Sequence, residues 1–243
     1  MRKLLTIYGR KPVLEALNDC SLEIRRLHLA SSNRPAEILE KIIALANARA
    51  IATEFHDKPA LARISRNAKQ DQGVAADIAL PSLRWIDELD SKVDASRDSR
   101  YLLCDGIHNP QNLGMIIRSA AAAGIAGLII PEKGNASISP LVVKASAGAL
   151  FRCPLLLADN SNSALQTLQQ LGIAIYTLEA SASASLLNYA PDHACAFVLG
   201  NETDGPGEAA RRASSGSLRI PMHNGVESLN VAITAALVAY LVV

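Results

Sequence analysis

The chain has 243 residues, 49% of them apolar and 19% charged, with a formal net charge of +1. This is the composition of an ordinary soluble globular protein, with apolar material for one large core or two small ones. Charge is uneven, 13 Lys/Arg against 9 Asp/Glu in residues 1–78 and 7 against 9 in residues 101–243, so nucleic-acid contact through the first part is allowed and ordinary solvation explains it equally well.

Further function classes fall away along the chain. Cys20, Cys104, Cys153 and Cys195 are far apart, with no C-x-x-C and no His at a ligand spacing, so neither a disulfide framework nor a metal is expected. Reduced thiols in a cytoplasmic setting are the default. The N-terminal apolar run is five residues long between charges, too short for a signal peptide, and the run from Val231 to Val243 is too short for a membrane span. It reads as a helix covered by a neighbouring element or a second subunit, and its end at Val243 is consistent with a polar tail beyond it.

In chain order, Pro12 opens a helix with Val13, Leu14, Ala16 and Leu17 at helical spacing. Arg25 to Ala30 alternates as a strand, Ile38, Ile42, Leu45 and Ala46 repeat as a helix, and Ile51 to Phe55 and Gly73 to Leu80 read as strands. Residues 1–78 thus form a small α/β domain with Arg25, Arg26, Arg34, Arg63, Arg66 and Lys69 on its surface. Residues 79–100, with Pro81, five acids and four bases, read as a linker. From Tyr101 strands are expected at 101–105, 126–130, 153–157, 173–178, 195–199 and 217–222 between helical segments, which implies a mainly parallel sheet with helices on both faces over 101–243. Ligands bind beyond the carboxyl ends of such strands.

Three polar, Gly-containing segments fall at those ends. In Asp105 to Ser119, Pro110 starts a helix, Gln111, Gly114 and Arg118 share a face, and Gly114 is expected to leave space above Arg118. Arg118 suits a phosphate or carboxylate; a surface charge or an ion pair with Asp105 or Glu202 is the plainer alternative. In Phe197 to Pro206 the strand breaks at Gly200, and Glu202 and Asp204 lie nearest its tip. In Ile220 to Val231, Asn224-Gly225 is a turn dipeptide and Ser228 is placed to cap a helix beginning at Leu229. No G-x-G-x-x-G, Walker or G-x-S-x-G pattern is present, which weakens dinucleotide, nucleotide-triphosphate and hydrolase readings.

Together, D-G-x-x-N-P-Q-N-L-G-x-x-x-R-S-A, L-G-N-E-x-x-G and I-P-M-x-x-x-x-E-S-L-N-V resemble the three ordered motifs of the SpoU/TrmH-type RNA ribose 2′-O-methyltransferases of the SPOUT superfamily. Lys144 to Ala149 resembles that family's basic, small-residue segment. Tyr8 to Leu17 and Gln72 to Ala76 look like the two ends of the ribosomal-protein-like RNA-binding domain many members carry. The resemblance implies a trefoil-knotted α/β domain, against the usual topology, a homodimer, and S-adenosylmethionine held by Leu178, Gly200, Ile220, Met222 and Leu229. It makes Asn112, Arg118, Glu202, Ser228 and Asn230 the candidate catalytic set. The family assigns Arg118 as proton acceptor; because a guanidinium stays protonated, its expected role here is to hold a phosphate and stabilise the developing alkoxide.

The implied activity is 2′-O-methylation of RNA, ribosomal rather than transfer RNA because of the extra domain, with a guanosine of 23S ribosomal RNA as the expected target. A transfer-RNA enzyme and a catalytically idle RNA-binding or assembly protein are the alternatives. Three departures from the family pattern bear on the target: His108-Asn109 and Leu150-Phe151 where an acid is common, and Asp71 where a His is frequent.

Overall fold

A computed structural model describes residues 4–79, 83–91, 94–201 and 204–241. They form two compact units, residues 1–81 and 82–243.

The first unit runs β1 (Leu4–Tyr8), α1 (Arg10–Asn18), β2 (Glu23–Ala30), α2 (Glu37–Ala48), β3 (Ala52–His56), α3 (Lys58–Ser65) and β4 (Val74–Ala79). Its sheet has the order β1-β4-β2-β3, with only β2 and β3 parallel. Val13, Ala16 and Leu17 of α1 and Leu39, Ile42 and Ala46 of α2 are buried, the helical spacing read from the sequence. The open carbonyls at the end of α1 are met by Arg49, which donates to Leu17 O at 2.7 Å and Leu22 O at 2.5 Å. Asp57 caps α3 by accepting from Ala60 N at 2.7 Å. Buried Asp71 accepts from Ser65 Oγ and Gly73 N, both at 2.9 Å, so the family departure there is an internal brace of the turn before β4. The six basic residues expected on the surface are exposed. Arg25 and Arg26 pair with Glu23 and Glu54, while Arg34, Arg63, Arg66 and Lys69 have no ion-pair partner among the described residues.

The second unit holds β5 (Arg84–Trp85), β6 (Arg100–Cys104), α4 (Pro110–Ala123), β7 (Gly127–Pro131), α5 (Pro140–Ala145), β8 (Leu155–Ala158), α6 (Ser161–Gln170), β9 (Ala174–Leu178), β10 (Ala184–Ser185), β11 (Cys195–Leu199), α7 (Glu208–Ala213), β12 (Gly216–Arg219) and α8 (Val231–Leu241). Its eight strands are all parallel, in the order β10-β12-β9-β11-β6-β7-β8-β5. Strands β6, β7 and β11 are buried along their whole length, as a sheet covered on both faces requires. Tyr101 and Leu103 pack with Leu165 and Leu168 of α6, while α4 and α8 lie against each other and α8 reaches β6 and β11. Five residues of α8 are buried, yet Ile233 is 53% and Tyr240 61% exposed.

The expected linker differs from what is built. Arg84 and Trp85 pair with Leu156 and Leu157 of β8, and Ile86 and Leu89 enter the second core. Arg84 forks onto Asp94 at 2.9 and 3.0 Å, Asp90 N donates to the same carboxylate, and Tyr101 Oη donates to Asp94 O at 2.6 Å. Of the acids and bases that read as a linker, Arg84 and Asp94 are partners of one another, and Arg100 donates to the backbone carbonyls of Arg97, His193 and Pro191.

The Arg84 hydrogen bonds hold the Asp94 carboxyl below its ordinary value of 3.8 against a smaller opposing effect of burial. A carboxyl lowered in the folded state adds stability above its unfolded value and loses it as pH falls through the folded one. Arg84→Met is therefore expected to cost about 1–2 kcal/mol at pH 7, Arg84 being partly exposed, and less at pH 3, measured by urea denaturation at both.

Candidate active site

Parallel pairing brings the ends of four neighbouring strands, β12, β9, β11 and β6, to one edge of the second sheet. The three motif segments run on from β6, β11 and β12, and Leu178 is the last residue of β9. Sheet order reverses in sequence between β6 and β11, which is where an open α/β sheet forms its ligand crevice.

The segment after β6 is tied down by side chains. Asp105 Oδ1 accepts from Ser161 Oγ at 2.7 Å, Asp105 Oδ2 accepts from Gly207 N at 2.9 Å, and Asp105 N donates to Leu199 O. One carboxylate thus joins the first loop to α6 and to the loop after β11; it is not an ion-pair partner of Arg118. Asn135, beyond β7, accepts from Ile107 N at 2.7 Å and donates to Cys104 O and Pro131 O. Asn109 caps α4 through Gln111 N at 2.8 Å, with Pro110 at the first helical position. The amide thus serves as a helix cap, a role open to Asn and Asp alike.

Helix α4 presents two candidates differently. Asn112 is 5% exposed, and its Oδ1 accepts from Asn230 Nδ2 at 3.2 Å, joining the first motif to the third. Arg118 is exposed and without an ion pair among the described residues. Gly114 does not open space above Arg118: a Cβ there would lie 2.5 Å from Ala145 Cβ and 2.8 Å from Val142 O. It is the point where α4 closes onto α5.

After β11, Asn201 and Gly205 exchange backbone hydrogen bonds at 3.1 and 2.9 Å, and Asn201 Nδ2 donates to Gly106 O. At Gly200 a Cβ would meet the Gly205 carbonyl carbon and Pro206 N at 2.2 Å, so only glycine fits. Glu202 lies outside the described residues.

The third segment leaves β12 at Arg219, so Ile220 and Met222 sit past the strand. His223 to Val226 turn tightly, with Asn224 at φ 57° and Gly225 at φ 73°, and Val226 N donates to His223 O. Ser228 is exposed and does not cap α8. Asn230 does so, accepting from Ala232 N at 2.9 Å, and α8 begins at Val231 instead of Leu229. The N-terminal signal was read two residues early because Ser and Asn are equally good caps.

Leu178, Gly200, Ile220, Met222 and Leu229 are all partly exposed at this edge. Four apolar side chains and a glycine backbone left accessible at strand ends suit a flat, weakly charged ligand such as an adenine nucleoside. No thiolate competes for a role: burial pushes the Cys104 thiol far up, Cys153 to about 12 and Cys195 to about 11. Sequence reasoning missed Asn135 and Ser161, a loop residue and the first residue of α6 whose partners Ile107, Cys104 and Asp105 lie far away in the chain, and gave no role to Asn201 of the second motif.

Residues 99–240 match the SpoU rRNA Methylase family, and residues 6–83 match the RNA 2′-O ribose methyltransferase substrate-binding family. A 23S rRNA (guanosine-2′-O-)-methyltransferase RlmB from Xanthomonas campestris pv. campestris is 37% identical over 170 residues, 70% of this chain and 68% of the relative. The protein of the same name from Xylella fastidiosa is 32% identical over 235 residues, 96% and 94% of the two chains. Among solved structures, the SpoU methyltransferase AviRb from Streptomyces viridochromogenes, in complex with AdoMet, superposes with a TM-score of 0.67 at 22% identity, covering 98% of this chain and 88% of that one.

Gly200→Ala is expected to destabilise the second unit by about 1–3 kcal/mol through overpacking against Gly205 and Pro206. Chemical denaturation measures this, and wild-type stability in the variant would overturn the fit described for this loop.

Proposed function

The chain belongs to the SpoU rRNA Methylase family, and from that premise we propose that this RNA 2′-O-methyltransferase transfers a methyl group from S-adenosylmethionine to a guanosine of 23S ribosomal RNA. The observation that carries the reading is the hydrogen bond between Asn230 and Asn112, 118 residues apart, which assembles two motifs at one sheet edge. The RlmB relatives, one of them matched over nearly the whole chain, favour 23S guanosine over transfer RNA.

When bound, S-adenosylmethionine supplies the electrophilic methyl, and Leu178, Gly200, Ile220, Met222 and Leu229 would hold it. The 2′-hydroxyl is a weak acid and a weak nucleophile, so this chain's own task is to align it and to stabilise charge as its proton passes to solvent water. Arg118, exposed and without an ion pair among the described residues, holds an RNA phosphate and stabilises the developing alkoxide. Asn112 and Asn230, locked together, orient the ribose and the donor's methionine end with Ser228. Glu202 completes the set from the loop after β11. Arg34, Arg63, Arg66 and Lys69 of the first unit offer phosphate contacts whose strength falls with salt.

The same reading includes a trefoil knot, a homodimer and a cytoplasmic location. Supporting the knot, β12 lies between β10 and β9, yet the helix that follows it packs on α4 and reaches β6 and β11. Supporting the dimer, Ile233, Tyr240 and Leu241 of α8 and Met115 of α4 are exposed apolar side chains on helices that pack together. No helix among the described residues is long and apolar enough to cross a membrane.

The deciding experiment is methyl transfer from labelled S-adenosylmethionine to unmodified ribosomal and transfer RNA, followed by alkaline hydrolysis. Label in alkali-resistant dinucleotides from 23S RNA is expected; label in mononucleotides, or from transfer RNA alone, would overturn the assignment. Arg118→Lys keeps the charge and loses the fork, and is expected to lower kcat about 100-fold while cofactor binding measured by calorimetry is retained. Ile233→Glu is expected to give monomers in sedimentation velocity where the unaltered chain gives dimers.

A further inference from the structure

On the first unit's sheet, far in sequence from every methyltransferase motif, two imidazoles and a carboxylate converge. His28 Nδ1 lies 3.0 Å from His56 Nε2, and Glu54 Oε2 lies 3.8 Å from the first and 3.6 Å from the second. All three ligand atoms fall within 4.8 Å of one another, and among the described residues this is the one such group of three or more.

From this geometry we propose that His28, His56 and Glu54 form a zinc site in the first unit. Two ligands at zinc distances of about 2.0–2.1 Å and a tetrahedral angle stand roughly 3.3 Å apart. The observed separations of 3.0, 3.6 and 3.8 Å bracket that value, so side-chain shifts of a few tenths of an ångström suffice. Two of the three ligands, His28 and Glu54, are also oriented from behind. His28 Nε2 donates to Asp77 Oδ2 at 3.1 Å, which leaves the Nδ1 lone pair facing the cluster, and Asp77 Oδ1 in turn accepts from Thr6 Oγ1 at 2.6 Å. Arg26 pairs with Glu54 Oε1 at 2.8 Å, leaving Oε2 toward the imidazoles. A carboxylate behind a ligating imidazole is the usual outer shell of a zinc site.

Two nitrogens and one carboxylate oxygen favour zinc over magnesium or calcium, which prefer all-oxygen shells. The His28 side chain is 5% exposed, that of His56 18% and that of Glu54 43%, so the ion reaches the site from the Glu54 side, where water completes the tetrahedron. His28 stands on β2 and the other two on β3, the edge strand paired only with β2. The ion therefore fastens an edge strand to the sheet.

The test uses the full, tag-free chain after chelator treatment and dialysis, titrated with zinc and, separately, magnesium, with metal content and thermal unfolding both read. One zinc per chain is expected, with a transition temperature that rises with zinc and is indifferent to magnesium. His56→Ala, at the strand end, is expected to lose stoichiometric zinc and the thermal response while unfolding cooperatively without metal. Asp77→Asn is expected to weaken binding about 10- to 100-fold. Cobalt(II) in place of zinc should give the visible absorption of a four-coordinate ion. Equal zinc uptake by wild type and His56→Ala would assign the metal to other side chains and overturn the site, as would the absence of uptake by the wild type at micromolar zinc.

Discussion

Every strand of the second sheet runs in the same direction, and the active site follows from that constraint. Parallel pairing of β11 between β9 and β6, with β12 outside β9, sends four consecutive carboxyl ends to one edge. The chain leaving β6, β11 and β12 turns back into α4, α7 and α8, while that leaving β9 runs on into β10. The crevice opens where neighbouring chains diverge to opposite faces, between β6 and β11. An antiparallel strand there would have carried one motif to the far edge.

A crevice of loops has many backbone polar groups and little regular structure to satisfy them, and a small polar frame takes that burden. Asn135, Asn201 and Asn109 each bond to backbone in the first motif, and Asp105 of that motif accepts from Gly207 N beyond β11. None needs to touch a ligand. Their effect is to fix where Asn112 and Arg118 begin on α4, while Gly114 sets the helix's closeness to α5. Asn230 serves both frame and site, capping α8 through Oδ1 while its Nδ2 holds Asn112. The site's precision thus comes from short hydrogen bonds at helix starts, whose directions vary little once the cap is made.

The first unit works on different terms. Its sheet is mixed and small, and one face carries the polar row Thr6, Asp77, Arg26, Glu54, His28 and His56 where a larger domain would bury aliphatic side chains. Charges are compensated within that row, and the free cations lie outside it. Exposed positive charge and internal polar order are therefore carried by separate residues of the same domain.

Much of this protein was legible from residues in order. Apolar runs marked five strands of the second sheet to within two residues, since fully buried parallel strands are continuously apolar, and a sixth, β12, whose end at Arg219 falls three residues short of the expected one. Three ordered motifs identified the family, and two of their residues, Asn112 and Asn230, meet in the fold. Local signals also located the turn at Asn224-Gly225 and the first helix at Pro12. What the sequence left open is everything decided by partners distant in the chain. Arg84 and Asp94 read as linker charges until their fork was seen. Gly114 read as open space, because only α5 lies against it. Ser228 and Asn230 are equivalent caps on paper, and the bond to Asn112 selects the second. His28 and His56 stand 28 residues apart with no ligand spacing between them, and only the pairing of β2 with β3 brings their rings together. Periodicity is a local property, which a sequence carries in itself; hydrogen-bond partnership and close packing are properties of the folded chain, and tertiary structure alone decides them.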